Sequence, residues 1–185
     1  MPIRWKEIFT NSLPVAFGYL SLGFTFGVLF AGKGGSALEA FLIALFCFAG
    51  AAQFIALQFY QPAFSWVFLC TTIFLLNIRH IFYGLKHLNS WKKSVGRVYL
   101  FSALTDENYG MTNVYSSRNL STSDWIKVFG LNHFYWVLGC TLGALVPAQA
   151  LGYIKGADFS LVALFIVIFS SALKSKLANR GECHG

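Results

Sequence analysis

Apolar stretches separated by short polar turns set the pattern of this chain. An uncharged run over residues 8–32 follows Arg4, Lys6 and Glu7. It is longer than a secretory h-region of about 7–15 residues and lacks a small-x-small cleavage site, so it is predicted to be a spanning or broken helix that stays in the protein. Lys33-Gly34-Gly35-Ser36 reads as a turn, and Glu39 opens the next stretch. No charge occurs over residues 40–78. That length holds two spans of about 17–20 residues, so helices are predicted near 40–60 and 63–85 with Gln61-Pro62 turning between them. Residues 98–116 are the least hydrophobic candidate span, and residues 125–147 follow with Ser123 or Asp124 as a helix cap. A last run from Asp158 to Leu173 is short for a span, so it must thin the bilayer, snorkel or pair.

Composition turns this pattern into a class. Hydrophobic residues make up 56% of the chain and charged residues only 11%. A soluble domain carries about a quarter charged residues, so too little polar surface exists to cover a water-soluble globule. The expectation is an all-α integral membrane protein: one polytopic helical bundle over residues 1–185, with about five to six membrane segments of which at least one is broken or re-entrant. Its cations collect between the apolar stretches, where they read as topology and headgroup anchors in a lipid bilayer. Most aromatic residues lie in or beside the apolar stretches instead of interleaving with the cations, so nucleic acid is not an expected partner. The densest positive cluster is Lys86, His87, Lys92, Lys93 and Arg97. Both it and Arg4 with Lys6 favour the cytoplasm, yet single crossings would put them on opposite sides; one re-entrant segment resolves the conflict. Cys47, Cys70, Cys140 and Cys183 have neither ligand spacing nor a paired pattern, and Cys183-His184 alone does not make a zinc site, so no metal or cofactor is expected.

Polar groups inside the apolar stretches carry the chemistry. Arg79 cannot shed its charge, which costs roughly 2.5–3.5 kcal/mol at the centre of a bilayer helix, so it snorkels, pairs or serves a ligand. At about 100° per residue, Asn77, His80 and Gly84 share one helix face, and Arg79 and Tyr83 another. A single site using both Asn77 and Arg79 therefore calls for a helix break or two partner surfaces. Gly50 and Gln53 share a face in Ala49-Gly50-Ala51-Ala52-Gln53-Phe54, where Gln53 is either interhelical glue or a ligand group. Gly23-x-x-x-Gly27 and Gly139-x-x-x-Gly143 permit close helix approach, and residues 14–23 are alternatively an unwound segment exposing backbone groups. Asp106 and Glu107 are too costly to face lipid, so they line a polar cavity or lie in an interfacial loop. His133 is hydrogen-bonded structure or a proton carrier.

Taken in order, Pro14-x-x-x-Gly18-Tyr19, the Ala49 to Phe54 run, Asn77-Ile78-Arg79-His80 and Thr105-Asp106-Glu107 resemble the AzlC-type large subunit of bacterial branched-chain amino acid exporters. The resemblance extends from Trp5 to Asp158-Phe159. It implies a multi-pass protein of the bacterial cytoplasmic (inner) membrane that exports valine, leucine, isoleucine or related amino acids with a small AzlD-type membrane subunit. Family members usually continue into further apolar helices, so this chain is expected to lack the C-terminal ones. Gly18, Gly50, Gln53, Asn77, Arg79 and His80 are the candidate substrate-binding residues, and Asp106 and Glu107 the candidate proton-coupling carboxylates. No phosphate-binding loop is present, which points to an ion gradient, with the proton first, as the energy source. The alternatives are a non-transporting scaffold built on the close-packing glycines, and an intramembrane enzyme using Asp106, Glu107 and His133. No nucleophile constellation supports an enzyme.

Overall fold

The computed structural model describes residues 3–57, 65–88, 91 and 94–147. The expected Gln61-Pro62 turn, the Lys92-Lys93 pair, the run from Asp158 to Leu173 and Cys183-His184 lie outside the described residues. Within them the fold is helical: α1 (Trp5–Gly32), α2 (Ala37–Phe46), α3 (Gly50–Ala56), α4 (Trp66–His87), α5 (Val95–Ser102), α6 (Asp106–Val114) and α7 (Thr122–Ala144). Both α1 and α4 are long and apolar enough to cross a membrane.

α1 runs unbroken through Pro14, so the unwound segment considered for residues 14–23 is regular helix. The small residues of α1 serve packing instead. A methyl group at Gly23 would stand 3.0 Å from Cys140 N and Trp136 O, and one at Gly27 would overlap Cys140 O. Reciprocally, a methyl at Gly139 would stand 2.9 Å from Leu20 O, and one at Gly143 would overlap Phe24 O. The two Gly-x-x-x-Gly motifs thus face each other, and α1 against α7 is the central contact of the fold. Arg118 Nη1 reaches Glu7 Oε1 at 2.8 Å and ties the α6–α7 connection to the start of α1.

The single helix expected near residues 40–60 is instead two, α2 and α3, interrupted at residues 47–49. α2 begins with a capping box: Ser36 Oγ accepts from Glu39 N, and Ser36 N donates to Glu39 Oε2 at 2.7 Å. The turn before it uses Gly34 at φ +92°, which favours glycine. A second interruption separates α5 from α6, where Thr105 Oγ1 caps Asn108 N at 3.3 Å. α7 starts one turn earlier than expected. Its cap is Ser121, and Asp124, considered as a cap itself, is the third helical residue that closes the box.

α4 buries little: Val67 is 77% and Phe82 66% exposed, with Phe68, Phe74, Leu75 and Ile81 likewise outward. In water so wide an apolar face would aggregate, whereas lipid is its matching solvent.

Candidate functional site

Both helix interruptions open onto one cavity. Ala49, Gly50 and Ala51 reach it from the start of α3, and Thr105, Asp106 and Glu107 from the start of α6. Asn77, Arg79 and His80 of α4 close one side, and Leu22, Phe48, Phe54 and Trp136 supply apolar wall. Polar chemistry is thereby enclosed by hydrocarbon, the combination that gives a binding site orientation as well as affinity.

The charged groups are organised by α4 and α6. Arg79 and Tyr83 do share a helix face, and both engage Asp106: Arg79 Nη1 lies 2.7 Å from Oδ2, and the Tyr83 hydroxyl donates to Oδ1 at 2.8 Å. The pair is only partly covered, with side-chain exposures of 36% for Arg79 and 27% for Asp106. Arg79 Nε is buried and has no hydrogen-bond partner among the described residues. From α1, the Tyr19 hydroxyl donates to Glu107 Oε2 at 2.8 Å and lies 2.6 Å from Thr105 Oγ1. Neither carboxylate is a solvated loop group.

α4 is continuous through Asn77 and Arg79, yet both line the cavity. No helix break is needed, because the long arginine stem carries its charged head round the helix. Asn77 Nδ2 donates to Ile73 O at 2.9 Å, and His80 Nδ1 lies 3.2 Å from Asn77 O, so both polar side chains are also tied to their own helix.

Two candidates fall outside the lining. Gln53 is buried with its amide engaged: Oε1 accepts from Trp136 Nε1 at 3.1 Å, while Nε2 donates to Cys47 O and, at 3.3 Å, to Ile43 O. Both carbonyls also accept from backbone, Ile43 O from Cys47 N and Cys47 O from Ala49 N, so Gln53 adds a second donor to each and ties α3 to the end of α2 across the interruption. Gly18 precedes Tyr19 on α1, and a methyl there would meet nothing within 4 Å. His133 sits elsewhere, between Ala44 O (3.2 Å from Nε2) and the Tyr99 hydroxyl (3.3 Å from Nδ1), stacked on Phe48. The grouping an enzyme would need from Asp106, Glu107 and His133 is therefore not assembled at the cavity.

Several contributors were not among the candidates, and Tyr19, Tyr83, Thr105 and Trp136 are those that also hydrogen-bond. Tyr19 follows Gly18, Tyr83 lies one turn beyond Arg79 on the same helix face, and Thr105 stands beside the carboxylates. Trp136 has no local signal at all: it reaches the cavity because α7 packs on α1. A methyl at Gly50 would come 2.9 Å from its Cη2, which explains the small residue opposite.

A family model described as AzlC protein matches residues 14–149, a span that holds every residue lining the cavity. Two Helicobacter pylori proteins, each described as an uncharacterized membrane protein, are 34% and 33% identical over 92% and 98% of this chain, and over 76% and 81% of their own lengths. The branched-chain amino acid transport protein AzlC of Bacillus subtilis is 29% identical over 89% of this chain and 66% of its own length. No solved structure matches. Matched by that family model across most of its length, the chain belongs to the AzlC family of membrane proteins.

Proposed function

We propose that this chain is the large subunit of a secondary transporter that exports branched-chain amino acids across the bacterial cytoplasmic membrane. In this reading a proton gradient drives export, and a small AzlD-type membrane subunit completes the complex. The observation that carries the reading is the cavity at the two helix interruptions, where one guanidinium and two carboxylates stand beside apolar wall. A zwitterion needs a cation for its carboxylate and an anion or carbonyl for its ammonium. Arg79 supplies the first, with its Nε still unpartnered among the described residues, and Asp106 and Glu107 supply the second. Phe48, Phe54, Leu22 and Trp136 surround an aliphatic side chain. Gly50, Asn77 and His80 complete the binding set, Gln53 acts on it by holding the α2–α3 interruption, and Gly18 acts through neighbouring Tyr19.

The cavity measures about 60 Å³. Small-molecule sites run to roughly 300–1,000 Å³, so a leucine-sized ligand requires the surrounding helices to part. Opening of that kind belongs to alternating access, and short helices that start at the site suit it. The test is counterflow of radiolabelled leucine in proteoliposomes holding the full chain, with and without the small subunit. Leucine-dependent uptake of label, absent in empty liposomes, is the expected result. Assembled protein that moves none of the branched-chain amino acids would instead be a scaffold.

A further inference from the structure

We propose that the two neighbouring carboxylates divide the work: Asp106 is a positioning residue that holds Arg79, and Glu107 is the group at which the substrate ammonium and a proton compete. This division rests on the transport function proposed above and assigns roles within the same site.

Hydrogen bonding separates the two groups. Asp106 has both oxygens engaged by α4, one by the Arg79 guanidinium and one by the Tyr83 hydroxyl. Protonating it would break a charge-assisted contact and leave Arg79 without its counter-charge. Glu107 forms no ion pair among the described residues, and only its Oε2 has a hydrogen-bond partner there, the Tyr19 hydroxyl. Its other oxygen is available to an ammonium or a proton.

The chain Thr105–Tyr19–Glu107 suits both states. A phenol has one proton. While Glu107 is ionised, Tyr19 donates to it and accepts from the Thr105 hydroxyl 2.6 Å away. Once Glu107 carries a proton it can donate to the Tyr19 oxygen, and Tyr19 then turns its own proton to Thr105 Oγ1. The contacts survive with their direction reversed. At Asp106 the Tyr83 bond to Oδ1 could reverse in the same way, but Oδ2 faces a guanidinium, which only donates and would lose its counter-charge on protonation.

Charge points the same way. The pairing of Arg79 with Asp106 leaves Glu107 as the uncompensated charge of the cavity, and either an ammonium or a proton neutralises it. Since one carboxylate cannot serve both, bound substrate excludes the proton and the proton excludes substrate, which is the exchange that proton-driven export needs. The titratable and charged groups facing Glu107 are Tyr19 from α1, Arg79 and His80 from α4, and Asp106 beside it, with Tyr83 behind Asp106; the α3 and α7 residues lining the cavity are not titratable.

The test is equilibrium binding of leucine from about pH 8 down through the carboxylate range to about pH 3.5, by the full chain reconstituted with its small subunit. In wild type, apparent affinity should fall by about tenfold per pH unit once Glu107 takes up its proton. Glu107→Gln should bind more weakly with a flat profile, and Glu107→Asp should restore the slope. Asp106→Asn should change affinity yet keep the slope. Thermal unfolding of Glu107→Gln in detergent beside wild type, with co-purification of the small subunit, shows that the variant is folded and assembled. A slope that persists in Glu107→Gln overturns the proposal, as does a slope lost in Asp106→Asn or in His80→Gln. A flat wild-type profile overturns this division alone, whereas wild type that binds no branched-chain amino acid overturns the transport function with it.

Discussion

Arg79 on α4 and Asp106 at the first turn of α6 stand 2.7 Å apart, Nη1 to Oδ2, and join a continuous helix to one that starts at the cavity. The contact gives a cation in a largely apolar helix its counter-charge and turns the guanidinium into the space a ligand would use. The ion pair and the proposed grip on a substrate carboxylate are separable, because lysine can keep the first and not the second.

Arg79→Lys should therefore assemble normally but lose at least about tenfold in leucine affinity, since an ammonium lacks the planar fork that grips a carboxylate. Arg79→Gln should abolish measurable binding, because a desolvated carboxylate would have no counter-charge. Binding is measured on protein matched to wild type for amount and folding. Equal affinities for wild type and the lysine variant would reduce Arg79 to an anchor for Asp106.

Gly27→Ala and Gly143→Ala should each destabilise the protein by about 1–3 kcal/mol, since each added methyl overlaps backbone of the opposing helix, Cys140 O in one case and Phe24 O in the other. Gly18→Ala lies on the same helix as Gly27 but meets open space, and should be neutral or stabilising by up to about 1 kcal/mol through helix propensity. Thermal unfolding in detergent distinguishes the two sites. A loss at Gly18 as large as at Gly27 would argue against the α1–α7 interlock.

Replacing Trp136 by phenylalanine removes the donor to Gln53 Oε1 and leaves a buried acceptor unpaired. The expected cost is about 1–3 kcal/mol of stability. Gln53→Leu alone should also cost stability, because its amide donates to Cys47 O and Ile43 O, and the double variant should lose less than the sum of the two, a coupling read by a double-mutant cycle. Simple additivity of the two changes would show that the contact does not support the α2–α3 interruption.

Cysteine pairs introduced across residues 50–54 and 77–83 should crosslink in membranes, because α3 packs against α4 and both line the cavity. Cys47 and Cys70 are exposed and must first be replaced. No crosslink at any register would separate the two stretches.

Much of this protein is legible from local sequence, because hydropathy and turn chemistry are local quantities. The apolar runs mark α1, α4 and α7, the Gly34-Gly35-Ser36 turn marks the start of α2, and the placement of Arg79 and Tyr83 on one face follows from helical spacing alone. Isolated polar groups in apolar runs also stand out, since each must find a partner in lipid, and for that reason Asn77, Arg79, His80, Asp106 and Glu107 were recognisable before their meeting place was. Partner choice belongs to the tertiary structure. Two Gly-x-x-x-Gly motifs in different helices do not announce that they pack on each other, and the proline and glycines of α1 fit an unwound segment as well as a tightly packed helix until α7 is laid against them. Gln53 has the same amide whether it binds a ligand or ties α3 to the end of α2; only the approach of Cys47, Ile43 and Trp136 decides for the tie. Asp106 and Glu107 are adjacent and chemically alike in sequence, and they differ because α4 brings a guanidinium to one and α1 brings a phenol to the other, contacts between residues far apart in the chain that no local pattern encodes.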